Sequence, residues 1–145
     1  MDSSESDAYA LAGLRVIIIE DEAILALCLG EIIEGEGCVV IGTAGTLGDA
    51  LRLAETTTFD LAIIDLHLDG QQAHDIVASI IRSGRAIIIS TGSDASEIPA
   101  EFHEWPVLRK PFANAAICAA ITSAVAIHSR LGKLRDSLPE CTLAL

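Results

Sequence analysis

The segment RVIIIEDEA, residues 15–23, changes character in its middle, from an aliphatic run to a cluster of acids. Residues 16–19 are all β-branched and apolar, which is typical of a strand buried on both faces of a parallel sheet. Glu20, Asp21 and Glu22 follow at once. Three adjacent carboxylates repel one another, so solvent, a helix N-terminus or a metal ion must compensate their charge.

The remainder of the chain alternates apolar runs with amphipathic stretches. Strands are predicted at residues 14–19, 38–44, 61–64, 86–90 and 105–108. Helices are predicted at residues 23–34, 46–56, 72–82, 93–103 and 113–130, with Thr46 as an N-cap and Asp69-Gly70 as a turn. Pro99 interrupts the fourth of these helices, and the pattern allows the last one to extend to residue 135. Five strand–helix units predict an α/β fold and are too few for an eight-stranded barrel. We expect a flavodoxin-like doubly wound (βα)5 domain with a five-stranded parallel sheet in the order 2-1-3-4-5.

The length of 145 residues suits a single domain. We expect a flexible leader at residues 1–13, the folded domain at 14–130 and a tail at 131–145. The polar, acidic N-terminus does not resemble a signal peptide. The apolar run at residues 113–127 is too short to span a bilayer. These features predict a soluble, cytoplasmic protein.

The formal net charge of −12 argues against nucleic acid or an anionic membrane as a direct partner. Two small basic clusters are interpreted as solvated faces, Arg82/Arg85 and Arg130/Lys133/Arg135. The cysteines show no CxxC spacing and are expected to be reduced thiols, the first three of them in the core. They are Cys28, Cys38, Cys118 and Cys141.

Polar side chains follow four of the predicted strands, at the edge where doubly wound sheets carry their sites. Glu20 and Asp21 follow the first strand, Asp65 the third, Thr91 the fourth and Lys110 the fifth. Clustered carboxylates suit Mg²⁺ or Mn²⁺ better than zinc. A carboxylate beside such a cation can attack phosphorus, and an ammonium and a hydroxyl can stabilise the transferring phosphoryl group. The strand ends therefore predict a divalent-cation site with phosphoryl chemistry.

Four motifs in this order resemble the receiver domain of bacterial two-component response regulators, over roughly residues 14–128. They are EDE at residues 20–22, Asp65, Thr91 and KPF at residues 110–112. The segments STGSD and LRKPF most resemble the FATGUY subclass, whose motif only Thr91 and Gly92 match closely. Each motif is weak alone, but all four at successive strand ends are specific.

The resemblance implies a role for each matching residue. Asp65 would accept a phosphoryl group from the phosphohistidine of a sensor histidine kinase. Thr91 would hydrogen-bond that group, and Lys110, preceding a cis peptide bond, would pair with one of its oxygens. Such a domain is not an enzyme with a separate substrate, because it catalyses only its own phosphoryl transfer and autodephosphorylation.

The resemblance also implies a set of ligands for the cation, Mg²⁺ or Mn²⁺. Asp21 would bind it directly, and Glu20 would help partly through water. Asp65 and the backbone carbonyl of His67 would complete the protein ligands. The histidine side chains show no ligand spacing and are expected at the surface.

Two departures from the family leave alternatives open. Val107 stands where receivers often carry an aromatic residue, and the loop at residues 65–70 lacks the usual proline. A pseudo-receiver, working as a phosphorylation-independent binding module, is therefore an alternative. A haloacid-dehalogenase-like phosphatase is disfavoured because His67 replaces the required second aspartate. A flavodoxin is disfavoured because an acidic loop would repel a flavin phosphate.

The segment after His128 is too short for a DNA-binding module, which predicts a stand-alone receiver. It would bind a downstream protein target, or serve as a phosphate shuttle or sink between kinases. The exposed face of the last helix is compatible with a homodimer.

Overall fold

The computed structural model describes residues 11–92 and 97–136, with side chains as far as residue 134. In chain order its elements are β1 (Arg15–Ile19), α1 (Ala23–Gly35), β2 (Val39–Ala44), α2 (Leu47–Thr56), β3 (Leu61–Asp65), β4 (His67–Leu68), β5 (Gln71–Gln72), α3 (His74–Arg82), β6 (Ala86–Thr91), a 3₁₀ turn (Ala100–Phe102), β7 (Val107–Arg109) and α4 (Asn114–Asp136). The Thr46 side chain caps α2 as predicted, since its Oγ1 accepts the Asp49 N–H at 3.1 Å.

The five longer strands form one parallel sheet in the order β2-β1-β3-β6-β7. This confirms the predicted order 2-1-3-4-5, because β4 and β5 form a separate antiparallel pair. Every residue of β3 and β6 is buried, and β1 is buried beyond Arg15. Helices cover both faces of these central strands, which explains their continuous aliphatic runs.

The core is built from aliphatic side chains, as the scarcity of aromatic residues predicted. Each fully buried isoleucine or leucine contributes about 1.5–3 kcal/mol relative to exposure. The helices supply their apolar stripes to the same core. Completely or almost completely buried members include Ile17, Ile18, Ile19, Ile33, Ile63, Ile64, Val77, Ile80, Ile87, Ile88, Ile89, Ile117 and Ile121.

The third helix begins two residues later than predicted. Residues 71–72 pair with residues 67–68 as a short hairpin, so α3 begins at His74. Asp69 and Gly70 form the tip of this hairpin, with φ angles of 50° and 77°. Positive φ at both positions suits the right-handed twist of a two-residue hairpin, which an Asp-Gly pair favours. The sequence predicted the turn but not the strands on either side of it.

The prediction of an α-helix at residues 93–103 is wrong for the part that the structure describes. Residues 93–96 lie outside the described residues. From residue 97 onward the described helical residues are of the 3₁₀ kind, and they include the turn Ala100–Phe102, which begins after Pro99. Proline lacks an N–H and restricts the preceding residue to extended conformations, so α-helix does not continue through it.

The last helix has 23 residues and ends at Asp136, one residue beyond the extension that the sequence allowed. By length and composition alone, its segment Asn114–Leu134 is long enough to cross a membrane, although the apolar run at residues 113–127 is not. In the fold, however, α4 packs beside β6 and β7 and fully buries Ile117, Ile121 and Ala124. We therefore interpret α4 as a core helix of this domain.

The expected domain limits at residues 13 and 130 stay predictions, although both ends of the described region are ordered beyond them. Leu11 is only 4% exposed and belongs to the core. The Gly13 N–H donates to the Gly37 carbonyl at 2.8 Å. Residues 1–10 and 137–145 lie outside the described residues.

The expectation that the first three cysteines lie in the core is wrong for Cys28, which is exposed. Helix α1 also exposes Ile24 and Leu27. Apolar residues occur nearly all round this helix, so their periodicity does not reveal which face packs inward. Cys38 is buried and Cys118 is half-buried, while Cys141 lies outside the described residues.

Candidate functional site

The carboxyl ends of β1 and β3 bring two buried acids together. Ile19 pairs with Ile64, so Glu20 and Asp65 are the next residues on neighbouring parallel strands. Both are only 6% exposed, whereas Asp21 is exposed. Two carboxylates at this depth require compensation, because burial penalises their charged forms.

Three of the predicted ligands do converge. One carboxylate oxygen from each of Glu20, Asp21 and Asp65 lies within 4.8 Å of the other two. This donor set is made only of hard oxygens, which suits Mg²⁺ or Mn²⁺ and not a thiolate-preferring metal. The residues present therefore fit the divalent cation that the sequence predicted.

Lys110 supplies the positive charge at the centre of this cluster. Its Nζ donates to Asp65 Oδ2 at 2.7 Å and lies 2.9 Å from Glu20 Oε2. Burial lowers the pKa of the Lys110 ammonium, but its bonds to Asp65 and Glu20 outweigh burial and the net shift is upward. The Lys110–Pro111 peptide bond is cis, as the resemblance implied.

The pKa values of Glu20 and Asp21 are shifted in opposite directions. Burial raises the pKa of Glu20, although the Lys110 ammonium and the Glu22 N–H both oppose that shift. The Asp69 N–H, which donates to Asp21 Oδ2 at 2.9 Å, lowers the pKa of Asp21. A nearby cation would therefore stabilise the charged form of Glu20 more than that of Asp21, because the Asp69 N–H already stabilises the Asp21 carboxylate.

The short hairpin β4–β5 forms one wall of the site. The His67 N–H donates to Asp65 Oδ1 at 3.0 Å, and the His67 side chain is exposed. Through Asp69, the hairpin tip also holds the Asp21 carboxylate. The family resemblance implied the His67 backbone carbonyl as a cation ligand. It did not reveal the hydrogen bond from the Asp69 N–H to Asp21. The Asp-Gly pair at residues 69–70 was the available signal for a hairpin here.

Thr91 ends β6 beside the acids and is 2% exposed. Its carbonyl accepts the Lys110 N–H at 3.0 Å, which ties the ends of β6 and β7 together. Ser90 is the register partner of Asp65. Among the described residues, the buried Ser90 Oγ has no hydrogen-bond partner. The sequence predicted no role for Ser90, which directly follows the isoleucine run at residues 87–89.

An open cleft of about 400 Å³ adjoins the acids on the α1 side. Its lining includes Glu20, Asp21, Leu27, Thr43 and Asp49. The cleft exposes Glu20 and Asp21 to solvent, whereas Asp65 and Lys110 do not line it. The sequence did not predict it, because it arises from the gap between the start of α1 and the end of β2.

A five-stranded parallel sheet with an acid triad and a lysine across its strand ends defines a receiver-type signalling domain. The chain belongs to the response regulator receiver domain family, whose family model matches residues 16–122. Members of this family are signalling proteins, and they bind Mg²⁺ through acidic residues of the kind that cluster here.

Known regulators are similar to this chain over most of its length. The transcriptional regulatory protein PdtaR of Mycobacterium tuberculosis is 31% identical over 129 residues, which cover 86% of this chain and 63% of PdtaR. The phyllosphere-induced regulator PhyR of Methylorubrum extorquens is 30% identical over 129 residues, covering 86% of this chain and 48% of PhyR. This chain therefore spans about half to two thirds of these relatives.

A solved structure shows the same fold. The crystal structure of the response regulator PhyR from Brucella abortus superposes with a TM-score of 0.76 at 24% identity. The superposition covers 93% of this chain and 56% of that protein. At this identity the likeness supports the fold alone.

Proposed function

We propose that this chain is a phosphoryl-accepting response regulator in which Asp65 takes a phosphoryl group from the phosphohistidine of a sensor histidine kinase. The observation that carries the proposal is the position of Lys110 Nζ, 2.7 Å from Asp65 Oδ2 within a group of three carboxylates. A buried acid with a charge partner, a cation site and an open cleft is arranged for reaction more than for stability.

The chemistry follows from the residues around Asp65. A carboxylate oxygen of Asp65 attacks phosphorus, the phosphorus–nitrogen bond breaks, and the imidazole leaves with the electron pair. The Lys110 ammonium stabilises a phosphoryl oxygen, and the Thr91 hydroxyl donates a hydrogen bond to another. The cation, when held by Glu20, Asp21, Asp65 and the His67 carbonyl, supplies the remaining positive charge.

Signalling follows as a shift between conformations. A phosphoryl group on Asp65 adds negative charge, and the Lys110 and Thr91 side chains move towards it. This movement shifts the conformational equilibrium of the loop after β6. The changed surface is read by a downstream protein, or the group passes to another protein in a phosphate shuttle or sink. We place the protein in the cytoplasm and regard a homodimer through α4 as compatible with this scheme.

A second candidate is a pseudo-receiver that binds its partner without phosphorylation. Val107 favours it, because this partly exposed residue at the start of β7 cannot follow Thr91 inward as an aromatic switch would. The complete set of Asp65, Thr91 and Lys110 favours the phosphoryl-accepting function.

The test is the mass of the intact protein after incubation with acetyl phosphate or phosphoramidate, with Mg²⁺ or with EDTA. We expect one phosphoryl adduct that requires Mg²⁺ and is absent from Asp65→Asn. Asp69→Asn is the matched control, since Asp69 contacts the site through its backbone N–H and this substitution preserves that donor.

Beryllium fluoride with Mg²⁺ supplies a second measurement, because it mimics the phosphoryl group on an aspartate without a phosphoryl donor. It should shift the backbone amide resonance of Thr91 in the wild type and not in Asp65→Asn. If a folded wild-type protein gives neither an adduct nor this shift, the pseudo-receiver replaces the phosphoryl-accepting function.

A further inference from the structure

Helix α1 exposes an apolar face beside the acids. Ile24 is 78% exposed, Leu27 is 64% exposed, and Cys28 is exposed as well. Side chains three and four positions apart in a helix are neighbours, so these three form one continuous patch, here called the α1 face. The buried stripe of the helix is a different one and consists of Ala26, Leu29, Gly30 and Ile33. Packing of the core therefore does not require the α1 face to be apolar.

Contiguity distinguishes the α1 face from the other exposed apolar side chains. Val39, Leu51, Val107 and Leu134 are also exposed, but each lies on a different element. Single exposed apolar residues are normal on a protein surface, whereas a contiguous patch is the form that interaction surfaces take. Within the part of the chain that the structure describes, no element covers the α1 face. A partner that buries it would remove apolar surface from water.

The α1 face lies among acids. The exposed acids before and after it along the chain are Asp21, Glu22, Glu31 and Glu34. Helix α1 itself contains no lysine or arginine. Leu27 also lines the open cleft between α1 and the start of α2, where Asp49 adds another carboxylate. Asp49 lies 3.6 Å from Arg52, but both side chains are more than half exposed, so this pair is weak. The charge around the α1 face is therefore negative.

These charges decide which occupant fits the α1 face. A second copy of the chain would bring the same acids together, and like charges across an interface lower the affinity. The acids repel an anionic membrane for the same reason. An amphipathic helix whose apolar side chains are flanked by lysine or arginine matches both the apolar patch and its acidic surroundings.

We propose that the α1 face docks an amphipathic helix of a partner protein. Its apolar side chains would pack on Ile24, Leu27 and Cys28, and its basic side chains would pair with the surrounding acids. Docked in this way, the helix would lie beside the cleft that Glu20 and Asp21 line. The proposal goes beyond the proposed function, because it holds whether or not Asp65 accepts a phosphoryl group.

Three synthetic peptides supply the test. The first contains leucine and lysine, with leucines at the i, i+3, i+4 and i+7 spacing of one helix face. The second has glutamate in place of lysine, and the third has the composition of the first in an order that forms no apolar face. The ¹⁵N-labelled full chain would be titrated with each peptide in EDTA. We expect the lysine peptide to give saturating amide shifts that are largest in α1, and the other two to bind at least about tenfold more weakly.

Cys28 reports on the same face independently, because it belongs to the patch. In a Cys141→Ser background, the lysine peptide should slow the reaction of Cys28 with a maleimide, as peptide mass mapping would show. The shuffled peptide at the same concentration should slow it much less. This readout locates the bound peptide on the α1 face and distinguishes docking from general attraction to an acidic protein.

Variants assign the binding to the α1 face. Leu27→Ser should weaken binding of the lysine peptide at least about tenfold, since it removes apolar contact area. Leu51→Ser, at an exposed leucine of α2, is the matched control and should bind as the wild type does. Glu31→Lys should narrow the preference for the lysine peptide over the glutamate peptide. Asp65→Asn should retain binding, which separates this proposal from the phosphoryl-accepting function.

Four results would overturn the proposal. They are amide shifts that lie outside α1, equal binding of the glutamate or shuffled peptide, an unaltered reaction rate of Cys28, and unchanged peptide affinity in Leu27→Ser. A wild-type dimer that Leu27→Ser dissociates would identify a second copy as the occupant instead. If Leu27→Ser does not fold, Ile24→Ser replaces it, at the more exposed of the two positions.

Discussion

Lys110 Nζ lies 2.7 Å from Asp65 Oδ2 and, at the same time, 2.9 Å from Glu20 Oε2. A single ammonium therefore compensates two of the three carboxylates that form the candidate cation site. A divalent cation must compete with this ammonium for the same oxygens. Under the proposed function, a phosphoryl group on Asp65 would add oxygens to which both the ammonium and the divalent cation could bind.

Lys110→Met should have opposite effects on cation binding and on phosphorylation. Mn²⁺ affinity, measured by calorimetry, should rise at least about tenfold, because a unit charge about 4 Å away contributes several kcal/mol at the effective dielectric constant of a protein. The rate of adduct formation from acetyl phosphate should fall about 100-fold, as expected on loss of one stabilising donor. Lys133→Met, at an exposed lysine, should change neither value, and weaker Mn²⁺ binding by Lys110→Met would contradict the competition.

The hairpin tip provides a test of backbone conformation. An added Cβ at Gly70 meets no atom within 4 Å, so Gly70→Ala should destabilise the protein only through its φ of +77°, by about 1 kcal/mol. At Gly48, in helix α2, an added Cβ also meets open space. Gly48→Ala should therefore stabilise the protein by up to about 1 kcal/mol. Urea denaturation should show changes of opposite sign in the free energy of unfolding of the two variants. Changes of the same sign would argue against the left-handed conformation at the hairpin tip.

The pair of Arg15 and Asp60 should make a pH-dependent contribution to stability. The Arg15 guanidinium, through its hydrogen bond, lowers the pKa of Asp60 below 3.8. The stabilisation is therefore present above the unfolded-state pKa and is lost as pH falls through the folded-state pKa. Because both side chains are partly exposed, Asp60→Asn should cost less than about 1 kcal/mol at neutral pH.

The difference between Asp60→Asn and the wild type should shrink towards zero as pH falls through the folded-state pKa of Asp60. The measurement is the urea midpoint of both proteins at neutral and acidic pH. A difference that persists unchanged at acidic pH would assign the loss to packing instead of charge.

The thiols should differ strongly in reactivity. Burial raises the pKa of Cys38 to about 11, so about one thiol in a thousand is ionised at pH about 8. Cys28 is exposed on α1. In a Cys141→Ser background, a maleimide should modify Cys28 first and Cys38 last, as peptide mass mapping would show. Unfolding in urea should abolish the difference, and rapid labelling of Cys38 in the folded protein would contradict its burial.

The sheet order and most of the site could be predicted from the sequence. Isoleucine runs mark the central strands, and the polar residue after each run lies at the same sheet edge in any doubly wound order. For this reason Asp65 and Lys110, although 45 residues apart in sequence, could be expected to meet, and they do. Glu20 and Asp21 follow the same rule.

Other features depend on contacts that no local pattern encodes. The bond from the Asp69 N–H to Asp21 requires a hairpin to pack against a different loop. Likewise, the exposure of Ile24, Leu27 and Cys28 depends on the rotation of α1, which its nearly uniform apolar surface does not specify. The 3₁₀ turn after Pro99 also differs from the predicted helix.

The order of the five sheet strands, the buried aliphatic sheet and the set of acids, threonine and lysine at its edge could be deduced from the sequence alone. Periodicity and the ends of apolar runs are local properties, which is why these features can be deduced without coordinates. The bridge from one ammonium to both Asp65 and Glu20, and the bond from the Asp69 N–H to the Asp21 carboxylate, are evident only in the folded protein. Those relationships depend on distances between elements remote in the chain, which packing alone sets.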